Sequence, residues 1–305
     1  MTTLAALSRE ELGRRLAHGG LRLRTGAFTA CIHSRIPTVA DGIGLLYGDY
    51  PLADGADFAD FHFSLQPSGG LRRWVRRQVL FDNDGIVPFK PLPIAQAFPM
   101  FEWGLNSCVS SRANGYLIVH AAVVEKDGRA AILPAPSGSG KSTLCAALVS
   151  RGWRLLSDEL ALLRLDTGEL APLPRPVSLK NASIGIMRAY APQAVFSPAV
   201  RDTVKGAVAH MKAPADSVAR ALEPARPAWI IFPQYQPGAE TTLAPVTPSA
   251  TFMRLADNAF NYDLLGFRGF DALGKLVDAA PGFEFTYSSL DDAVALFSRL
   301  APGTP

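Results

Sequence analysis

The stretch that most limits what this chain can fold into is Ala135-Pro136-Ser137-Gly138-Ser139-Gly140-Lys141-Ser142-Thr143. An apolar, β-branched run from Tyr116 to Val124 precedes it and stops at the turn signal Glu125-Lys126-Asp127-Gly128. Ala130-Ala131-Ile132-Leu133 then reads as a short buried strand leading into the loop. Leu144 to Val149 reads as a helix that Gly152 ends. A strand, a glycine-rich loop and a helix aim several backbone N–H groups and the positive end of a helix dipole at one point. Glycines at 138 and 140 let the backbone come close and take positive φ. In a loop of the G-x-x-x-x-G-K-[ST] type, Lys141 reaches the β- and γ-phosphates and the Ser142 hydroxyl sits on Mg²⁺. Here Ala135 stands where that pattern has its first glycine. Residues 137–143 are therefore the expected phosphate cradle, with Ser137, Gly138, Ser139, Gly140, Lys141, Ser142 and Thr143 as its members.

The next strand, Trp153-Arg154-Leu155-Leu156, ends at Ser157-Asp158-Glu159. Only one short helix separates the loop from this acidic pair. In an α/β sheet that brings two strand C-termini side by side, where ligands bind. An exposed acidic turn would use the same residue types; the position favours carboxylates facing a Mg²⁺–phosphate site. His120 is either a buried histidine with satisfied hydrogen bonds or a group that serves the acidic pair, since a polar residue in an apolar run needs a partner.

Three features carry a family resemblance: Val119-His120-Ala121 on the strand before the loop, the loop Ser137 to Ser142, and the early acidic pair after Arg151-Gly152-Trp153. The stretch resembles the HPr serine kinase/phosphorylase family, whose ATP-binding core is related to that of ATP-dependent phosphoenolpyruvate carboxykinase. Pro174-Arg175-Pro176-Val177-Ser178-Leu179-Lys180 and Thr203 to His210 look like the HPr-related kinase A subgroup, whose members accompany peptide-modification genes. The specific motifs cover about residues 116–212. Two departures matter: Glu159 stands where the family has a second aspartate, and the glycine- and arginine-rich signature of the reverse phosphorylase reaction is missing. The resemblance thus implies ATP binding and phosphoryl transfer, without HPr as substrate.

That resemblance, with the chemistry of the residues, sets the expectations. The fold is α/β, a P-loop kinase core with a small β-rich N-terminal region, divided as 1–105 and 106–305. Asp158 accepts the proton of a hydroxyl acceptor, with His120 nearby and Lys141 neutralising phosphate charge. Ser142 and Glu159 hold Mg²⁺ directly or through water. Arg175 and Lys205 are further ATP-binding candidates. Arg175 and Lys180 each read alone as surface charge. Lys205 lies in a basic, glycine-containing segment between Pro198 and Pro214 that reads as a lid or as a solvated hairpin. The acceptor is a peptide, protein or small-molecule hydroxyl. A non-catalytic ATP-binding module and an ATPase switch are the alternatives.

Composition excludes other classes. The 305 residues are 48% apolar and 19% charged, enough for a core. A net charge of +3 is too small to argue for a nucleic-acid partner, and none is expected. Cys31, Cys108 and Cys145 lack metal spacing, and their sparse number fits a reducing cytoplasm. No apolar run reaches membrane-spanning length. A homo-oligomer stays open.

Elsewhere, residues 8–18 read as a short helix with Ser8 as its cap. Residues 21–100 read as mostly strands, with turns at Asp54-Gly55, Ser68-Gly69-Gly70 and Asn83-Asp84-Gly85. Arg72, Arg73, Arg76 and Arg77 form a basic cluster. Residues 95–113 read as a helix with Trp103 in the core and Glu102 in solvent. Twelve of the 24 prolines fall between Pro172 and Pro248, so that region is expected to be short elements and ordered loops. A helix is expected from Thr247-Pro248 to about Leu265.

Overall fold

The computed structural model describes residues 2–53, 58–69, 75–136 and 138–300. The Asp54-Gly55 turn, Gly70, Arg72, Arg73 and Ser137 lie outside the described residues. The chain is mixed α/β. Among the described residues, strands β1 (Leu21–Thr25), β2 (Phe28–Ser34), β3 (Phe61–Pro67), β4 (Gln78–Asn83) and β5 (Leu92–Pro93) form the first sheet, in that order. The second sheet contains β6 (Tyr116–Lys126), β7 (Arg129–Pro134), β8 (Arg154–Ser157), β9 (Leu160–Arg164), β10 (Leu170–Ala171), β14 (Arg226–Tyr235), β15 (Thr242–Val246) and β16 (Gly282–Tyr287). Its order is β10-β9-β6-β7-β14-β16-β15, with β8 also paired to β6. Strands β11 (Val177–Lys180), β12 (Val200–Thr203) and β13 (Gly206–Met211) make a third sheet, ordered β11-β13-β12.

Ten α-helices accompany them among the described residues: α1 (Arg9–Arg14), α2 (Pro37–Leu46), α3 (Ala97–Arg112), α4 (Lys141–Ser150), α5 (Ala182–Tyr190), α6 (Ala215–Ala219), α7 (Pro248–Asp257), α8 (Tyr262–Leu265), α9 (Phe267–Ala279) and α10 (Leu290–Leu300). Among the described residues, no helix is long and apolar enough to cross a membrane.

Strand β6 shows why both faces of the second sheet are covered. Successive strand residues point to opposite faces. Ile118, Ala122 and Val124 join the core that holds α4, α3 and the first sheet, whereas Leu117, Val119, Ala121 and Val123 join the core under α7 and α9. His120 belongs to the first row, so it faces the same side as α4. The first sheet is continuous with that core through α3, whose Phe101 meets Phe63 and Tyr47. The boundary expected at residue 105 falls inside this helix.

Three readings are corrected. Residues 37–46 are helix α2, not part of a run of strands: Pro37 opens it, and Val39, Ile43 and Leu46 bury one face. The helix begun at Pro248 stops at Asp257, because the next residues pair with β6. His120 N donates to Asn258 O (2.7 Å), and Phe260 N donates to Ile118 O (2.8 Å). The loop strand β7 and the acidic strand β8 are not neighbours either. Both pair antiparallel to β6, which runs between them and carries His120 into the gap.

Candidate active site

The glycine-rich loop joins the C-terminal end of β7 to α4. Gly138 and Gly140 take φ of +92° and +89°, the left-handed region that glycine enters without steric cost. Gly140 is the N-cap of α4, and no side chain caps the helix there. The first turn of an α-helix leaves backbone N–H groups unpaired, so the end of α4 offers donors and a positive dipole end to an anion. The loop is braced from β14 and β16. Tyr235 N donates to Ser139 O (2.9 Å), and the Tyr287 hydroxyl donates to Gly140 O (3.0 Å). Ser142 and Thr143 are half-buried on the first turn of α4.

Beside the loop, β8 and β9 run in the same direction along β6, with Ser157 opposite Val123 and Leu160 opposite His120. Asp158 and Glu159 are the break between these two strands. The Ser157 hydroxyl accepts from Leu160 N (3.1 Å) across it. The acidic pair therefore sits at an interruption within a strand line, not on an exposed turn.

His120 contacts both Lys141 and Glu159. Lys141 Nζ is 3.0 Å from His120 Nε2, and His120 Nε2 is 3.1 Å from Glu159 Oε2. Lys180 Nζ lies 3.7 Å from the other Glu159 oxygen. Burial lowers the pKa of Lys141, against the pull of the Glu159 and Asp158 charges. Burial works against ionised Glu159, but the His120 hydrogen bond and the Lys141 and Lys180 charges hold its carboxyl well below the usual carboxylate range.

Asp158 is 4% exposed. Its Oδ2 accepts from Ser178 N (2.9 Å), while its Oδ1 is buried without a hydrogen-bond partner. Burial and the neighbouring Glu159 charge push its pKa up to about 6, opposed by Lys141 and the Ser178 N–H. A carboxylate so tuned is a proton acceptor near neutral pH.

The remaining predicted residues divide. Lys205 is at the exposed tip between β12 and β13, its ammonium 5.5 Å above the Trp103 ring. Burial and the Lys180 charge lower its pKa. Asn181 pins this tip: Ala207 N donates to its Oδ1 (3.0 Å), and its Nδ2 donates to Lys205 O (3.3 Å). A Cβ on Gly206 would lie 2.2 Å from that Oδ1, so only glycine permits the clamp. Arg175, in contrast, is 6% exposed and turned toward α3. It pairs with the Glu102 carboxylate and donates to Glu102 O (2.9 Å) and Asn106 Oδ1 (2.6 Å). Glu102 is thus buried in an ion pair, also accepting from the Tyr47 hydroxyl (2.8 Å), and the expectation of a solvated residue is corrected. Trp103 is half-buried and lines the cleft instead of filling the core. Asn106, Ser178 and His210 line the same cleft beside Asp158 and were not singled out for it by the sequence. Each sits far from Asp158 along the chain, so no local spacing could have marked it.

The family described as SynChlorMet cassette protein ScmC matches residues 100–183. This span runs from α3 to the start of α5 and includes His120, the loop, Asp158, Glu159, Arg175 and Lys180. It leaves out Lys205 and His210. No curated protein matches the chain. Among solved structures, the chain is similar to the Hpr(Ser) kinase/phosphatase from Coxiella burnetii. The identity is 12%, the match covers 61% of this chain and 93% of that one, and the TM-score is 0.28.

Proposed function

We propose that this chain is an ATP-dependent phosphotransferase with a P-loop core of the HPr kinase type, moving the γ-phosphoryl group to a hydroxyl acceptor. The observation that carries this reading is the Lys141–His120–Glu159 contact beside a buried Asp158 that keeps one oxygen free. Phosphoryl transfer is mainly positioning and charge neutralisation, and these residues supply both. The loop amides and the α4 N-terminus hold the phosphates. Lys141 leaves His120 to pair with β- and γ-oxygens. Asp158 takes the acceptor proton, and Lys180 and Lys205 lend positive charge from the far side.

Among the described residues, no group of three or more His, Cys, Asp or Glu is placed to hold a metal ion by itself. Mg²⁺ in such sites takes one or two carboxylates and completes its shell with phosphate oxygens and water. Glu159 and Ser142 offer oxygen donors of that kind, so the residues fit the ion. When bound, it would neutralise charge on the phosphate oxygens.

A peptide or protein serine or threonine is our acceptor of choice, and the cassette name of the matched family supports an acceptor encoded nearby. The test is incubation with γ-labelled ATP and the products of neighbouring genes, with mass spectrometry for an added phosphate. Asp158→Asn should keep ATP binding and lose transfer by about 10²–10⁴. Lys141→Ala should lose both. Equal turnover in wild type and Asp158→Asn removes Asp158 from the reaction.

A further inference from the structure

Two buried polar atoms without a hydrogen-bond partner, Asp158 Oδ1 and His210 Nε2, belong to residues that line one cavity. The strand register explains their proximity. Ser178 on β11 lies opposite His210 on β13. Ser178 N is given to Asp158 Oδ2, and His210 N is given to the Ser197 hydroxyl (2.9 Å), so neither amide joins the ladder between them. Such a non-hydrogen-bonded pair has the closer side-chain spacing. Asp158 and His210 are therefore both neighbours of Ser178 in the cavity wall.

The other charged groups of the cavity wall are already engaged. Arg175 is held by Glu102 and Asn106, and Glu159 by His120 and Lys180. The free volume is about 20 Å³, room for one water-sized group. Burial lowers the pKa of His210 and favours its neutral form. A carboxylate accepts only, and a neutral imidazole N–H donates. With the proton of the neutral imidazole on Nε2, the guest that satisfies both atoms must donate to Asp158 and accept from His210. A hydroxyl does this; a carboxylate guest would face Asp158, and an ammonium group has nothing to accept with.

We propose that this cavity seats the acceptor hydroxyl, with His210 Nε2–H as its second contact beside Asp158. The proposal rests on the phosphotransferase reading. The hydroxyl oxygen bonds to the γ-phosphorus and its proton passes to Asp158 Oδ1. The bond from that phosphorus to the β,γ-bridging oxygen breaks and ADP leaves. His210 fixes the direction of the hydroxyl lone pairs and takes no proton.

The probe is methanol as a surrogate acceptor, with ATP and Mg²⁺. Phosphorus NMR counts methyl phosphate and inorganic phosphate, and equilibrium dialysis measures ATP affinity first. In His210→Phe, which keeps a ring but no donor, both products should fall at least tenfold while ATP affinity stays within threefold. His210→Gln, which restores an N–H, should recover a third or more of the rate. Unchanged product rates in His210→Phe, at whatever melting temperature, would give the cavity to a structural water and overturn the proposal. If His210→Phe does not fold, Ser178→Val fills the cavity from the neighbouring strand, and equal rates there overturn it as well. Wild-type protein that binds ATP but forms neither product would remove the phosphotransferase reading and the proposal with it. Failure to bind ATP at all would do the same.

Discussion

Lys141 and His120 share one contact, Nζ to Nε2 at 3.0 Å, and that same ring nitrogen lies 3.1 Å from Glu159 Oε2. One nitrogen serves one partner at a time. As a lone pair it accepts from the ammonium; as an N–H it donates to the carboxylate. Lys141 engaged on phosphate thus leaves His120 to orient Glu159.

His120→Phe should therefore lower transfer by about 10- to 100-fold, the usual cost of losing the partner that orients a metal-binding carboxylate. ATP affinity without metal should hold or rise, since Lys141 no longer has a competing acceptor. Titration with ATP in the presence and absence of Mg²⁺ separates the two effects.

The free carboxylate of Asp158 is the reactive form. With its pKa pushed up to about 6, the transfer rate should fall as pH drops through about 6. In Asp158→Asn the small residual rate should lose this acid limb. A limb that survives the substitution belongs to another group.

The same shift has a consequence for stability. The folded-state pKa of Asp158 lies above its unfolded value of 3.8. Its stabilising contribution is complete below pH 3.8 and is lost as pH rises through 6. The loss is about 3 kcal/mol at one unit per 1.36 kcal/mol, with the pull of Lys141 already contained in the shift. Asp158→Asn keeps the acceptor for Ser178 N and removes the buried charge. It should melt higher than wild type at pH 8, with the gap narrowing toward pH 5. A lower melting temperature at pH 8 would contradict this.

Arg175 is held by Glu102 in the protein interior. Removing one partner of a buried pair leaves an uncompensated charge and costs about 3–5 kcal/mol. Arg175→Ala and Glu102→Ala should each lower stability by that order in urea unfolding, and Arg175→Lys should not restore it because lysine lacks the planar fork. If Arg175 served mainly to grip phosphate, Arg175→Ala would instead weaken ATP binding with stability intact.

At Gly140, an added Cβ would meet the Tyr287 hydroxyl at 2.4 Å and Tyr235 Cβ at 2.9 Å, at a φ of +89°. Gly140→Ala should abolish ATP binding. Adding Tyr287→Phe should relieve only part of the damage, because the backbone strain and the Tyr235 contact remain. Calorimetry of ATP binding to both variants decides it.

The strand–loop–helix unit was legible because its determinants are local: two glycines, a lysine and an apolar run on either side. The acidic pair was legible by its nearness to the loop. Helix α2 was not, although Val39, Ile43 and Leu46 carry a helical spacing, because Pro37 and its β-branched neighbours sit among strand-like runs. Glu102 read as solvated because its partner Arg175 lies 73 residues away in the chain. The break after Asp257 was equally hidden. Asn258 closes the last turn through Nδ2 to Arg254 O (2.8 Å) and the pairing with β6 completes the break, but the apolar spacing of 248–265 runs on through it. The contacts of Asp158 and His210 needed the third sheet, whose pairing no local pattern announces.

That break after α7 has one more effect. Strand β7 pairs with β6 only from Ala121 onward, so the first half of β6 would present bare backbone on that flank. Residues 258–261 cover it. Val119 bridges to Ala259, Ile118 N donates to Asn261 Oδ1, and Asn261 Nδ2 donates to Tyr116 O. An uncovered ledge of this kind invites another polypeptide to zip on as an extra strand. Here the chain has sealed its own seam next to His120, and that flank of β6 is closed to strand addition.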